Sequence, residues 1–89
     1  MLNLPATLTH DQALETALGL QSQVASQAQA VVLDASALTQ FDSSALAVVL
    51  ACRRAAMASG KTFAVQCLPA RLVQLAALYG VAELVPAAT

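Results

Sequence analysis

The sequence predicts a small α/β fold in which strands and helices alternate along one domain covering residues 1–89. Residues 30–34 form a continuous apolar run that ends in an acid, which is typical of a central strand buried on both faces. Residues 61–67 form a second strand-like run, and helical apolar periodicity occupies the segments between and after them. The resulting order strand–helix–strand–helix–strand–helix implies a small, mostly parallel or mixed sheet with right-handed crossovers.

The N-terminal third predicts the first strand and the first helix. Leucine and alanine alternate with other residues over positions 1–8, and Pro5 confines this strand to an edge. Thr9 and Gln12 have capping-box spacing, so a helix should follow and extend to about Ala28. Its expected buried stripe is Leu14, Ala17, Leu18, Val24 and Ala28, with a lapse at Gln21.

The second helix is the element around which the chain is organised. Asp42 is a good N-cap because its carboxylate can accept a hydrogen bond from a free amide of the first turn. The helix should begin at about Ser43, continue to about Ser59 and end at Gly60 in a left-handed conformation. The sector expected to face the sheet contains Ala45, Leu46, Val49, Cys52, Arg53 and Ala56.

The opposite sector of this helix is a candidate partner-binding surface. Small side chains allow another backbone to approach closely, and an arginine at the rim could form an ion pair. The residues predicted to bind the partner are Ser43, Ser44, Ala47, Ala51 and Arg54. The alternative is that another part of this chain covers the sector, although a chain of 89 residues leaves little to do so. A phosphate on Ser43 would be tolerated at the helix N-terminus.

The C-terminal third predicts the last strand and the last helix. The strand covers Lys61 to Cys67, and Leu68-Pro69 breaks it. The helix should extend from about Ala70 to Tyr79 and stop at Gly80. Its expected packed face is Leu72, Leu75, Ala76 and Tyr79, and a last turn or short edge strand should follow over residues 81–85.

Composition narrows the classes of function. Only 10% of residues are charged and 58% are hydrophobic, so part of the surface must be apolar. Such a surface is suited to a protein partner. The alternative is that the surplus of hydrophobic residues consists of exposed alanines, which need no partner. A net charge of −1 offers no basic footprint for nucleic acid. No run approaches the roughly 20 apolar residues of a membrane span, and no cationic leader begins the chain.

No residue pattern predicts an enzyme, a metal site or a cofactor. Cys52 and Cys67 are expected to be reduced thiols in the core of a cytosolic protein. His10 is the only histidine, and nothing in the sequence brings it to Ser43 or Cys52 as a catalytic base. Asp34 and Asp42 could lie at one end of the sheet. We interpret Asp34 as an acid at a strand end and Asp42 as a helix cap, in preference to a catalytic acid–base pair.

Three segments together resemble a known family. The runs at residues 31–36 (Val-Val-Leu-Asp-Ala-Ser), 41–50 (Phe-Asp-Ser-Ser-Ala-Leu-Ala-Val-Val-Leu) and 60–63 (Gly-Lys-Thr-Phe) are similar to those of STAS domains. This family includes the anti-sigma-factor antagonists and the MlaB-type subunits of bacterial phospholipid transporters. Residues 71–81, with their Leu-Tyr ending, resemble the C-terminal helix of MlaB-type members.

The resemblance implies a STAS-like fold and a role for one hydroxyl. The family's functional hydroxyl follows the aspartate and corresponds to Ser43. MlaB-type members carry a threonine there that supports contact with the transporter ATPase. The resemblance therefore implies a non-catalytic accessory subunit of an MlaFEDB-like ABC transporter that maintains outer-membrane lipid asymmetry. Such a subunit is cytoplasmic and peripheral to the inner membrane through the complex.

The alternative implied by the same resemblance is a signalling switch. In anti-sigma-factor antagonists a partner kinase phosphorylates the corresponding hydroxyl, which breaks the complex with the anti-sigma factor. Ser43 would then be a phosphoserine, and the added phosphate would bring about −1.5 to −2 charge to the interface. Ala45 stands where many antagonists carry glycine.

Overall fold

The structure, a computed structural model, describes residues 2–27 and 29–85. Its elements in chain order are β1 (Leu2–Asn3), β2 (Thr7–Leu8), α1 (His10–Val24), β3 (Ala30–Asp34), β4 (Gln40–Phe41), α2 (Ser43–Ala58), β5 (Thr62–Gln66), α3 (Ala70–Leu78) and a 3₁₀ turn (Ala82–Leu84). This arrangement confirms the α/β prediction.

A three-stranded parallel sheet forms the frame, with β3 between β1 and β5. Val31 lies opposite Phe63, and Leu33 lies between Leu2 and Val65. A second, two-stranded parallel pair joins β2 to β4. All of these pairings are parallel because a helix lies in the chain between each two paired strands and returns it to the same end of the sheet.

The predicted N-terminal strand is interrupted. Residues 4–6 separate β1 from β2, and the sequence analysis did not predict the short strand β4 with which β2 pairs. The interruption follows from Pro5, which has no N–H to donate to a ladder. The carbonyl of Ala6 instead accepts the amides of Thr39 and Gln40 at 2.8 and 2.9 Å, which sets the pairing of β2 with β4. Met1 lies outside the described residues.

Only one face of the sheet is fully buried, which corrects the prediction that β3 is buried on both faces. Val31 and Leu33 are buried, whereas Val32 between them is half-buried. The same alternation occurs along β5, where Phe63 and Val65 are buried. Alternation of this kind shows that the core lies on one side of the sheet, against the helices.

Helix α1 ends earlier and faces a different way than predicted. It stops at Val24, and the predicted end at Ala28 lies outside the described residues. Its buried side consists of Leu20 and Val24, with Ala13 and Ala17 half-buried. Leu14 and Leu18, predicted to be in the core, are 73% and 58% exposed. The predicted stripe is therefore correct at Ala17 and Val24 and wrong at Leu14 and Leu18.

The later boundaries agree closely with the sequence. Helix α2 ends at Ala58, and Gly60 has φ +71, the left-handed conformation predicted for it. Gly80 likewise has φ +72 after α3. Leu72 and Ala76 are buried as expected and Leu75 is half-buried, but Tyr79, predicted on the packed face, lies just after the end of α3 and is 56% exposed.

Cys67 is not a core residue, which corrects the prediction from the sequence. It follows β5 with φ +59 and is exposed, whereas Cys52 is completely buried in α2; both thiols are free. The strand ends one residue before Cys67, so its side chain escapes the inward alternation of Phe63 and Val65. Among the described residues, no helix combines the length and the apolar character needed to cross a bilayer.

Candidate partner-binding face of the second helix

The start of α2 is fixed by one carboxylate. Asp42 Oδ1 accepts the Ser44 amide at 2.8 Å, which confirms the predicted N-cap. Asp42 Oδ2 accepts the His10 amide at 3.1 Å, so the same side chain also holds the first residue of α1. These amide hydrogen bonds, first of all that from Ser44, lower the pKa of Asp42 below its ordinary value.

The buried side of α2 matches the predicted sheet-facing sector. Fully buried side chains recur along it at Ala45, Leu46, Val48, Val49, Cys52 and Ala56. Arg53, placed in the same sector from the sequence, is half-buried, so its aliphatic stem can lie against the core while the guanidinium reaches water. Helix α1 packs against α2, and α3 also contacts it, so α2 is the central helix of the layer.

The opposite side of α2 is exposed at three of the five predicted positions and half-buried at the other two. Ser43, Ala47 and Arg54 are exposed, while Ser44 and Ala51 are half-buried at its margin. We call these five residues the α2 face. The residues predicted from the sequence thus lie together on one surface, and in the described chain the neighbouring helices do not bury it. The alternative, in which this chain covers the sector itself, is not what the described residues show.

Two residues next to the α2 face were missed by the sequence analysis. Met57 is 55% exposed and Leu50 is half-buried. Both are displaced from Arg54 by three or four positions, so they share its side of the helix. The sequence analysis assigned Met57 and Leu50 to neither sector, although helical spacing places both beside Arg54. They give the α2 face an apolar margin.

The charged groups near this site do not form an acid–base pair. Asp34 Oδ1 accepts the Ser36 amide at 2.9 Å, and this bond is the main cause that lowers the pKa of Asp34. Asp42 is also shifted downwards, whereas two carboxyls sharing a proton would raise one of the pair. Burial raises the pKa of the Cys52 thiol to about 11, so it is protonated at neutral pH.

His10 lies closer to α2 than its sequence position suggested. Its backbone amide contacts Asp42, which the sequence analysis did not anticipate. The contact uses the main chain of His10, so it joins two helix starts and does not create a nucleophile–base pair. In residues 2–27 and 29–85, no three His, Cys, Asp or Glu side chains come together in a group able to hold a metal ion.

A cavity of about 310 Å³ lies apart from the α2 face. It sits at the end of β5 beside α3, and its lining includes Val65, Leu68, Val73 and Ala76. None of its lining residues belongs to α2. It is apolar apart from Cys67 and offers no charged group to orient a substrate.

A parallel sheet covered on one face by helices, with a capped central helix that begins in hydroxyls, defines a small α/β domain of the STAS type. The family model described as "Mlab, STAS domain" matches residues 1–86, and the chain belongs to this family. No match to the sequence is found among curated proteins. STAS domains are in general accessory or regulatory domains rather than catalysts.

Proposed function

We propose that this protein is a non-catalytic accessory subunit that binds the cytoplasmic ATPase of an MlaFEDB-like phospholipid ABC transporter through its α2 face. The observation that carries the proposal is the exposure of this face on the central helix of the fold. The family description contains the word Mlab, which supports a transporter of this type as the complex to which the subunit belongs. The subunit would then be cytoplasmic and peripheral to the inner membrane.

The physical role of the α2 face follows from its side chains. Ala47 and Ala51 project only methyl groups, so a partner helix can approach the backbone of α2 closely. The exposed Ser43 hydroxyl stands at the head of this surface and can both donate and accept a hydrogen bond. Arg54 supplies the positive charge of the face and suits a partner with a carboxylate at the facing position.

The decisive experiment compares three serine variants by co-purification with the ATPase. Ser43→Glu should abolish co-purification because it brings an uncompensated charge into a close-packed contact. Ser43→Thr should retain it because the hydroxyl is kept. Ser22→Glu is the matched control, since Ser22 is an exposed serine of α1. An intact complex with Ser43→Glu would contradict the proposal.

The second candidate function is an anti-sigma-factor antagonist regulated by phosphorylation of Ser43. It is favoured by the exposure of Ser43 at the first position of α2, where a kinase could reach the hydroxyl. Phosphate on Ser43 in protein from the native cell, dependent on a dedicated kinase, would support this function. Unmodified Ser43 under stress, together with capture of an ATPase, would exclude it in favour of the transporter subunit.

A further inference from the structure

Helix α1 is joined to the α2 region by a charged side chain at each end. At its C-terminus, the Lys61 ammonium donates to the carbonyls of Val24, Ala25 and Gln27 at 2.8, 3.3 and 2.7 Å. These three bonds match the three N–H donors of an ammonium group. Lys61 follows the glycine that ends α2, so the lysine links the end of one helix to the end of the other.

Lys61 replaces the local cap that α1 lacks. The residue after α1, Ala25, stays right-handed with φ −60, so no left-handed glycine closes the helix. No basic residue stands in the last turn of α1 to interact with the negative end of its dipole. The positive charge therefore comes from a residue 37 positions away from Val24 in sequence.

The other end of α1 is held by Asp42, whose Oδ2 accepts the His10 amide at 3.1 Å. Between these two ends, Ala13 and Ala17 are half-buried against the core, and the larger buried side chains lie in the C-terminal half of the helix. Leu20 and Val24 are its fully buried side chains, and both lie toward the C-terminus. Leu14 and Leu18 face solvent, and Gly19 weakens the helix at its middle.

We infer that α1 opens from α2 as one unit, and that the side chains of Lys61 and Asp42 hold it in the closed position. Opening leaves β3, β5 and α2 in place, because β3 pairs directly with β5 along its whole length and α2 also contacts β5. It uncovers Leu20, Val24 and the side of α2 on which α1 packs. Elements held by few buried apolar groups open at lower free energy than core strands.

Hydrogen exchange on the full chain tests the inference without any partner, so its result is separate from that of the proposed function. In the wild-type protein, amides of residues 14–24 should exchange faster than those of β3 and β5. Lys61→Met should raise exchange in α1 by about tenfold or more while β3 and β5 stay unchanged, because charged hydrogen bonds at its C-terminus are lost. Lys61→Arg should restore most of the protection, and Arg71→Met, at an exposed site on α3, is the control.

Three results would overturn the inference. Equal protection of α1, β3 and β5 in the wild-type protein would show that α1 opens only with the whole fold. A uniform rise in exchange in Lys61→Met would show that Lys61 stabilises the entire domain and not α1 in particular. Unchanged exchange in α1 of this variant would show that the three carbonyl contacts hold nothing. The wild-type measurement decides even if Lys61→Met fails to fold.

Discussion

The carboxylate of Asp42 holds the backbone amide of His10 at 3.1 Å, which joins the starts of two helices 32 residues apart in sequence. Its other oxygen caps α2 through Ser44 at 2.8 Å. Because α1 and α2 follow the paired strands β2 and β4, their positive ends lie side by side at the same edge of the fold. The negative charge of Asp42 therefore interacts favourably with the positive ends of both helix dipoles.

Substitution of Asp42 should separate these two contacts. Asp42→Asn keeps one oxygen that can cap α2 but loses the second acceptor and the charge. Asp42→Ala loses both contacts. We expect the melting temperature to fall in the order wild type, Asp42→Asn, Asp42→Ala, as measured by circular dichroism at neutral pH. Equal melting temperatures for Asp42→Asn and Asp42→Ala would show that the bond to Ser44 contributes nothing beyond the charge.

The pH dependence of stability follows from the lowered pKa of Asp42. A group whose pKa is lower in the folded state stabilises the fold above its unfolded value, here 3.8, and the contribution disappears as pH falls through the folded pKa. The wild-type melting temperature should therefore fall more steeply than that of Asp42→Asn between about pH 5 and pH 2. Asp34→Asn is a second test of the same rule, since the Ser36 amide lowers the pKa of Asp34 and this variant should also show a shallower fall than the wild type. Parallel curves for wild type and Asp42→Asn would contradict the assignment.

The two thiols should react at very different rates in the folded protein. Cys67 is exposed and should be alkylated promptly at neutral pH. Cys52 is buried and its pKa is raised to about 11, so it should react only when the protein is unfolded. Titration with a chromogenic disulfide reagent should give one thiol per chain in buffer and two in denaturant. Two fast thiols in buffer would show that the α2 core is open.

Binding through the α2 face predicts a steric effect at Ala47. Ala47→Trp should prevent co-purification with the partner because a large ring blocks close approach, while stability changes by only about 0.5 kcal/mol at this exposed site. Ala77→Trp, at an exposed position of α3, should leave the complex intact. If both variants bind equally well, the contact lies elsewhere on the surface.

The exposed leucines of α1 give a stability test of the corrected helix orientation. Leu20→Ala should destabilise the fold by about 2–5 kcal/mol because it creates a cavity in the core. Leu18→Ala should cost far less, since its side chain is 58% exposed. Urea denaturation measures both. A large loss for Leu18→Ala would restore the stripe predicted from the sequence.

The limits of the strands and helices could be predicted from the sequence more fully than the orientation of α1. The limits of β3 and the start of α2 were predicted correctly, because an apolar run and a capping aspartate act locally. The orientation of α1 was predicted only in part, because Val24 is buried as expected but Leu20 takes the core position assigned to Leu18. Helical periodicity does not identify which stripe faces inward when alanines at positions 13 and 17 are as compatible with packing as leucines.

The members of the α2 face were predicted as a set because helical spacing alone places residues 43, 47, 51 and 54 on one side. Its apolar margin at Met57 and Leu50 was missed, since the sequence analysis assigned neither residue to a sector of the helix. The exposure of Cys67 was also missed. It depends on a left-handed turn with φ +59 directly after β5, and no glycine marks that turn in the sequence.

Two glycines with equally open surroundings should respond oppositely to alanine. Neither Gly19 nor Gly60 has an atom within 4 Å of the position that an added Cβ would take, so sterics with neighbours do not distinguish them. Gly19 lies inside α1, where alanine should stabilise the fold by up to about 1 kcal/mol. Gly60 has φ +71, where alanine should cost about 1–2 kcal/mol.

Urea denaturation of Gly19→Ala and Gly60→Ala measures both effects against the same wild-type curve, and their opposite signs control for any general effect of adding a methyl group. If Gly60→Ala proves neutral, the left-handed turn before Lys61 can relax, and the three carbonyl contacts of that lysine do not depend on it. If Gly19→Ala is destabilising, the middle of α1 does not tolerate a side chain on the side that faces solvent here.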